Sequence, residues 1–247
     1  MSALLEVRGA SKRFGGVVAN EKISISVRAG EIVGLIGPNG SGKTTLFNSI
    51  AGTHQIDDGA IAFDGMEISR LRMPDIARLG LIRTYQTTRV FKQMTCVENL
   101  LAAAPAFGGG TPALLARPRK DERAQAGEFL DFVGLADKRG LVAGELSFGQ
   151  QKLLEFAMAL MRRPRLLLLD EPTAGINPTL INALVDQMRR ANAEFGVTLL
   201  VIEHNMAVIM NLARRIYCLA HGELLAEGAP EDIRADPRVL DAYLGSR

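Results

Sequence analysis

The residues most able to do chemistry are gathered around Lys43. The stretch Gly37-Pro38-Asn39-Gly40-Ser41-Gly42-Lys43-Thr44-Thr45 has the Gly-x4-Gly-Lys-Thr spacing of a phosphate-holding loop. Glycines let the backbone curl so that successive N–H groups and the N-terminus of the following helix face phosphate oxygens, while the Lys43 ammonium supplies a point charge to the β- and γ-phosphates. Thr44 is placed to offer its hydroxyl to Mg²⁺. A Gly-rich turn that merely caps a helix is the plainer reading of such a stretch. The buried strand expected before it, Ile32–Ile36, and the helix carrying Leu46, Phe47 and Ile50 after it favour the phosphate loop. Further on, four leucines, Leu166 to Leu169, deliver Asp170 and Glu171 to the C-terminal end of a strand, the edge where open α/β sheets place their ligands. Asp170 is then expected to hold the magnesium, through water. Glu171, one residue on, is placed to polarise an attacking water as general base. A third element is Leu146-Ser147-Phe148-Gly149-Gln150, where Ser147 and Gln150 have capping-box spacing before the helical pattern Leu153, Leu154, Ala157, Met158 and Met161. A helix N-terminus with a Ser hydroxyl and an approachable Gly backbone is itself an anion site. Taken alone, the capping box says only that a helix starts there.

Positioning these groups takes an α/β core. Leu4 to Arg8, the alternating Ile23 to Val27, and Ile61 to Phe63 before the Asp64-Gly65 turn read as strands of a half-exposed sheet. The continuous apolar runs Ile32 to Ile36, Leu166 to Leu169 and Val197 to Ile202 read instead as strands buried on both faces of a parallel sheet. Between about Thr87 and Pro164 the strand signals vanish. Helical patterns take their place at Val97 to Ala104, Asp121 to Val133 and Gln150 to Arg163, with Gly108, Gly109 and Gly110 marking a loop. This stretch reads as a helical lobe inserted into the core. Arg117, Arg119 and Lys120 form a short basic cluster that fits a solvated loop and helix start, the alternative being a contact with lipid headgroups or a partner.

The bulk composition narrows the function classes. The 247 residues, 47% hydrophobic and 23% charged, suffice for one substantial core or two joined lobes. With 29 basic against 27 acidic residues the net charge is only +2, so no whole-chain basic field draws the protein to nucleic acid. Met1 to Val7 lacks the pattern of a secretory signal, and no run approaches the roughly 20 apolar residues of a membrane-spanning helix. Cys96 and Cys218 have no His or Cys at ligand spacing, so two buried reduced thiols are expected, which fits the cytoplasm.

In this order, the phosphate loop, the Leu-Ser-Phe-Gly-Gln stretch and the Leu-Asp-Glu strand resemble ATP-binding-cassette ATPases over essentially the whole chain. The resemblance implies an α/β fold: a P-loop NTPase core with a mostly parallel sheet, an N-terminal antiparallel β subdomain and an inserted α-helical subdomain. The core would span 1–86 and 165–247, and the helical subdomain 87–164. It implies ATP and Mg²⁺ as ligands, bound by Gly37 to Thr45, with Thr44 and Asp170 at the metal. Ser147, Gly149 and Gln150 would serve the γ-phosphate held by a second ATPase subunit, a copy or a paralogue. Phe14 in Lys-Arg-Phe-Gly looks like the aromatic that stacks on adenine. Gln86 in Arg-Thr-Tyr-Gln resembles the glutamine that links Mg²⁺ and the attacking water to the helical lobe, and His204 in Ile-Glu-His-Asn the histidine that orients Glu171 and the water. His54 and His221 read as surface or turn residues. Two positions depart from the common pattern: Phe148 stands where many relatives have Gly, and Asn177 where most have Asp, so a carboxylate role there is not carried over.

Leu-Ser-Phe-Gly-Gln-Gln, Ala-Gly-Ile-Asn-Pro, Arg-Thr-Tyr-Gln-Thr-Thr-Arg-Val-Phe and the ending from Ala-Glu-Gly-Ala-Pro to Asp-Ala-Tyr-Leu-Gly look like the ATPase subunits of branched-chain amino acid importers. That resemblance implies two integral-membrane permease subunits, a periplasmic binding protein acting indirectly, no nucleic acid partner, and a place on the cytoplasmic face of the inner membrane. The ATPase of lipopolysaccharide export is the nearest alternative. A soluble non-transport relative and a non-hydrolysing regulatory module are the others.

Overall fold

Short runs that are apolar almost throughout have no wet face to offer, and the chain buries them whole. The computed structural model describes residues 3–84, 90–104 and 120–244. In the first part of the chain the elements are β1 (Ala3–Phe14), β2 (Val17–Arg28), β3 (Ile32–Ile36), α1 (Lys43–Ile50), β4 (Asp58–Phe63), β5 (Met66–Glu67), α2 (Met73–Arg78) and β6 (Leu81–Arg83). Then come the helices α3 (Cys96–Ala103), α4 (Lys120–Phe132) and α5 (Phe148–Met161). The remainder is β7 (Leu166–Asp170), α6 (Pro178–Phe195), β8 (Thr198–Ile202), α7 (Met206–Leu212), β9 (Arg215–Ala220), β10 (Glu223–Gly228), α8 (Pro230–Ala235) and α9 (Pro237–Leu244).

Every residue of β3, β7 and β8 is buried. They lie inside a six-stranded sheet of order β10-β9-β3-β8-β7-β6. All neighbours in it run parallel except β10, which returns antiparallel to β9. The alternating segments build the second sheet, order β2-β1-β4-β5, antiparallel throughout. From Ile23 onward β2 buries every second residue, so one face of that sheet meets the core and the other meets water. Ile23, Ile25 and Val27 join Val33, Leu35, Leu46, Phe47, Leu168 and Leu200 in one apolar cluster. That cluster fixes the sheets and α1 together.

The described chain falls into two compact units. One comprises Met1–Arg83, Arg165–Pro172 and Arg189–Arg247, and holds both sheets; the other comprises Thr84–Pro164 and Thr173–Met188. In the second, α3, α4 and α5 pack on one another around Leu100, Leu130, Leu154, Ala157 and Leu160, all buried. Gly108, Gly109, Gly110, Arg117 and Arg119 lie outside the described residues.

Several boundaries differ from the sequence reading for local reasons. β1 and β2 are each 12 residues long because they pair with one another nearly end to end, through Phe14 and Val17. Helix α5 begins at Phe148, directly after its cap Ser147, and stops at Met161 because Arg163 turns to φ 51°, a left-handed conformation that no helix continues. β6, β9 and β10 were not anticipated at all.

Candidate nucleotide site

Three of the predicted groups meet because three strands run the same way. β3, β8 and β7 are neighbours, with Leu35 and Asp170 both in register with Ile202. Their C-terminal ends therefore sit side by side, and each is followed by a predicted functional segment: Gly37 to Thr45 after β3, Asp170-Glu171 at the end of β7, and Glu203-His204 after β8. This is the edge at which parallel α/β sheets bind ligands.

The phosphate loop is tightly confined. Gly37 has φ 146° and Gly42 φ 97°, and a side chain at either would strike backbone. A Cβ on Gly37 would meet the Leu219 carbonyl and Ser41 Oγ, and one on Gly42 the Ala19 carbonyl and Asn20 Nδ2. Only glycine can serve at these two positions. Lys43 opens α1 and is buried, its Nζ donating to the carbonyls of Gly37 at 2.8 Å and Pro38 at 2.9 Å, and to Ser41 Oγ at 3.4 Å. These partners are neutral oxygens, which satisfy the donors without cancelling the charge. Burial pushes the Lys43 pKa below its ordinary value, against the pull of Glu171, Cys218 and Asp170. Asn39 and Gly40 are exposed at the tip, Pro38 is half-buried and Ser41 is buried. Thr44 is exposed in the first turn of α1 and Thr45 is half-buried beside it.

At the end of β7, Asp170 is 2% exposed. Its Oδ2 accepts a hydrogen bond from Arg83 at 2.8 Å, and the same guanidinium donates to Asn48 Oδ1 at 2.5 Å. Asp170 Oδ1 is buried with no hydrogen-bond partner. An orphaned anionic oxygen of this kind calls for a cation or a water. Glu171 sits at φ 49°, a left-handed conformation that costs a non-glycine residue about 1–2 kcal/mol. Its N–H is held by the Ile202 carbonyl at 2.9 Å, and its Oε1 accepts from His204 Nε2 at 2.7 Å. The strained turn thus aims Glu171 at His204, and both side chains stay partly open to solvent.

Phe14, at the end of β1, is 44% exposed, with the His54 ring edge-on at 5.3 Å and Lys12 Nζ 5.4 Å from its centroid. His54 is therefore the aromatic neighbour of Phe14, while His221 lies in a turn at φ 51°. Ser147, Gly149 and Gln150 belong to the second compact unit. There the capping box is closed from both sides: Ser147 Oγ accepts the Gln150 N–H at 3.3 Å and Gln150 Oε1 accepts the Ser147 N–H at 3.0 Å. The Phe148 departure has a neighbour, since its ring stands over Gly175. The Asn177 departure has a task. Its Oδ1 accepts the Leu180 N–H at 2.9 Å, the helix-capping bond that an Asp would make as well. Gln86 lies outside the described residues.

Sequence reading missed three residues here. Arg83 pairs with Asp170 and lays its guanidinium 5.8 Å from the Phe47 ring. Asn20, buried on β2, donates to the Gly42 carbonyl at 3.1 Å. Tyr243, in α9, accepts the Gly37 N–H at 2.8 Å. Each lies at least 22 residues from its partner, and no local spacing signals it.

The sequence profile of the ABC transporter family matches residues 20–174, which span the phosphate loop, the Ser147 cap and the Asp170-Glu171 strand. This chain belongs to the ABC transporter family. A second profile, that of the branched-chain amino acid ATP-binding cassette transporter, matches residues 223–247 of the cassette. The cassette is 42% identical to the high-affinity branched-chain amino acid transport ATP-binding protein BraF of Pseudomonas aeruginosa, over 98% of each chain. It is 38% identical, again over 98% of each, to the corresponding protein LivG of Escherichia coli K12. Among solved structures it resembles the ADP conformation of MJ1267, an ATP-binding cassette of an ABC transporter, with a TM-score of 0.89 and 33% identity over 100% of each chain. The fold is the ABC ATPase fold.

Proposed function

We propose that this cassette hydrolyses ATP to drive an importer of branched-chain or related amino acids. The observation that carries the catalytic part is the meeting of Lys43, Asp170, Glu171 and His204 at one sheet edge, with Glu171 and His204 2.7 Å apart. Lys43 exchanges its loop carbonyls for the β- and γ-phosphate oxygens. Glu171 takes the proton of the attacking water, and His204 orients Glu171 and the γ-phosphate. Phe14 offers its exposed ring to the adenine, and the loop from Gly37 to Thr45 wraps the phosphates. Magnesium suits the site on two counts: Asp170 presents a buried oxygen without a partner, and Thr44 presents a hydroxyl. Among the described residues no cluster of three or more His, Cys, Asp or Glu could cage a metal, so most of its ligands would be nucleotide oxygens and waters. When bound, the ion neutralises charge that develops on the phosphates. Gln86 is assigned to the link between this site and the helical subdomain, 87–164.

In this reading Ser147 and Gly149, with Gln150 bracing the cap, contact the γ-phosphate held by a second cassette. ATP then favours a closed pair because its γ-phosphate is bound better there than by an open subunit. Among the described residues no helix is long and apolar enough to cross a membrane. By likeness to BraF and LivG, transport is assigned to integral-membrane permease subunits, with the cassette docked on their cytoplasmic side. Substrate delivery falls to a periplasmic binding protein. The branched-chain assignment follows BraF and LivG, and the lipopolysaccharide-export alternative is not favoured.

Glu171→Gln tests the site. It keeps shape and acceptor geometry but removes the base, so turnover should fall about 10²- to 10⁴-fold while ATP still binds. In size-exclusion chromatography with ATP the variant should run as a persistent dimer. Wild-type turnover in this variant would overturn the role of Glu171, and a monomer at saturating ATP would overturn the paired site.

A further inference from the structure

We propose that Tyr243 is a positioning residue for nucleotide binding, its hydroxyl holding the entrance of the phosphate loop in the curl that receives phosphate. The inference rests on the nucleotide reading above and extends it to a segment that reading leaves unused.

Gly37 is where the chain leaves the sheet. The β3–β9 ladder ends at the pair Ile36 and Cys218, and the next residue turns to φ 146°, pressed against the Leu219 carbonyl. Its N–H has therefore lost its place in the ladder, and a buried amide without an acceptor is costly. The acceptor comes from 206 residues away: Tyr243 Oη, in the last turn of α9, at 2.8 Å. Burial pushes the Tyr243 pKa up to about 12, so the phenol stays neutral through the working pH range.

The other polar group of Gly37, its carbonyl, is taken by Lys43 Nζ at 2.8 Å. These two bonds fix the loop entrance, and they differ in fate. Lys43 must release the carbonyl to reach phosphate. The Tyr243 bond has no such competitor, and it keeps Gly37 in place as the lysine changes partners. A loop already ordered before its ligand arrives costs less to bind to. The contact also has a setting: a cavity of about 230 Å³ is lined by Pro38 to Ser41 on the loop side and by Asp241, Ala242 and His221 opposite. Helix α9 therefore runs alongside the loop rather than touching it at one chance point. Tyr243 lies inside residues 223–247, the segment matched by the branched-chain cassette profile.

A bond held throughout the cycle, as this role requires, contributes to ground-state binding and not to the barrier, so its loss should weaken binding and spare kcat. Tyr243→Phe keeps the ring and removes the acceptor. The dissociation constants for ADP and ATP, and the KM for ATP, should rise about three- to tenfold, with kcat within twofold of wild type. Leu240→Ser is the control, because Leu240 is half exposed on the same helix, while the bond to Gly37 comes from Tyr243. It should leave nucleotide affinity unchanged. Two results would overturn the proposal: Y243F with wild-type nucleotide affinity, or Y243F and L240S weakening nucleotide alike, which would make the tyrosine an anchor for α9 only. Lys43→Ala, measured in parallel, separates this from the parent reading. If K43A binds ATP as well as wild type does, it is the phosphate-loop assignment that fails.

Discussion

Gly175 and Phe148 show how a departure from a common pattern depends on its neighbour in space. Gly175 is held at φ 76°, and a Cβ built there would stand 3.1 Å from the Phe148 ring. An aromatic at position 148 is compatible with this turn because position 175 has no side chain. Gly175→Ala should therefore be penalised twice, by the left-handed backbone and by the ring, for a total of about 1–3 kcal/mol in chemical denaturation. Adding Phe148→Ala should return the steric share and leave the backbone share. If G175A costs the same whether or not the ring is present, the two positions are independent and the pairing is wrong. Such a relation cannot be read from the sequence, where Phe148 and Asn177 register only as mismatches. What was legible at this scale was charge and nucleophilicity in fixed local spacing: Lys43 within its glycines, Asp170-Glu171 after four leucines, and His204 after a buried strand. Arg83 was not legible, because an arginine closing a three-residue strand looks like any surface cation until folding brings it, 6% exposed, to within 2.8 Å of Asp170. A buried pair like this adds little net stability but fixes a carboxylate's direction, which the magnesium role proposed for Asp170 needs.

Helix starts are readable where their caps are recognised, as at Ser147; the cap of α3, at Thr95, was not among those read from the sequence. Thr95-x-x-Glu98 is a second capping box, closed by Glu98 Oε2 accepting the Thr95 N–H at 2.8 Å and Thr95 Oγ1 accepting the Glu98 N–H at 3.2 Å. Hydrogen bonds from Thr95 hold the Glu98 carboxyl below the usual carboxylate range. Thr95→Ala should cost about 1 kcal/mol, and Thr95→Ser should recover most of it. An unchanged midpoint in T95A would mean that α3 is held by its packing alone. Buried strands were legible for a different reason. Ile32–Ile36 and Leu166–Asp170 are short, uninterrupted and bounded by breakers, so their hydrophobicity has one explanation. β10 has no clean period in Glu223-Leu-Leu-Ala-Glu-Gly, and its identity as a strand comes from pairing with β9; β9 carries a short apolar run, Ile216 to Ala220, buried throughout, which the rule for buried strands admits. α9 has eight residues, too few for a helix to stand alone in water.

Across the molecule, several buried acids become liabilities in alkali. Burial raises the Cys218 thiol from 9.0 to about 11 and the Tyr243 phenol from 10.0 to about 12, and pushes Tyr217 upward as well. In the unfolded chain these groups lose their protons first. Above pH 9 the unfolded state therefore binds fewer protons than the folded one, and stability must fall as pH rises. The contribution of Cys218 is whole below pH 9 and spent by about pH 11, worth about 2–3 kcal/mol for a shift of this size. Lys43 acts with the opposite sign. Its folded pKa lies below 10.5, so in part of the same window the folded state is the first to give up a proton, and stability rises. The raw pH profile is a difference of the two effects, and the test has to isolate one of them. Cys218→Ala does so: the small cavity it leaves lowers the midpoint equally at every pH, while the alkaline slope that belonged to the thiol disappears. Urea midpoints of wild type and C218A should run parallel from pH 7 to 8.5 and converge between pH 9 and 11. Curves that stay parallel to pH 11 would show that the Cys218 thiol ionises in the fold as easily as in the open chain, and that β9 is not the dry strand its burial implies.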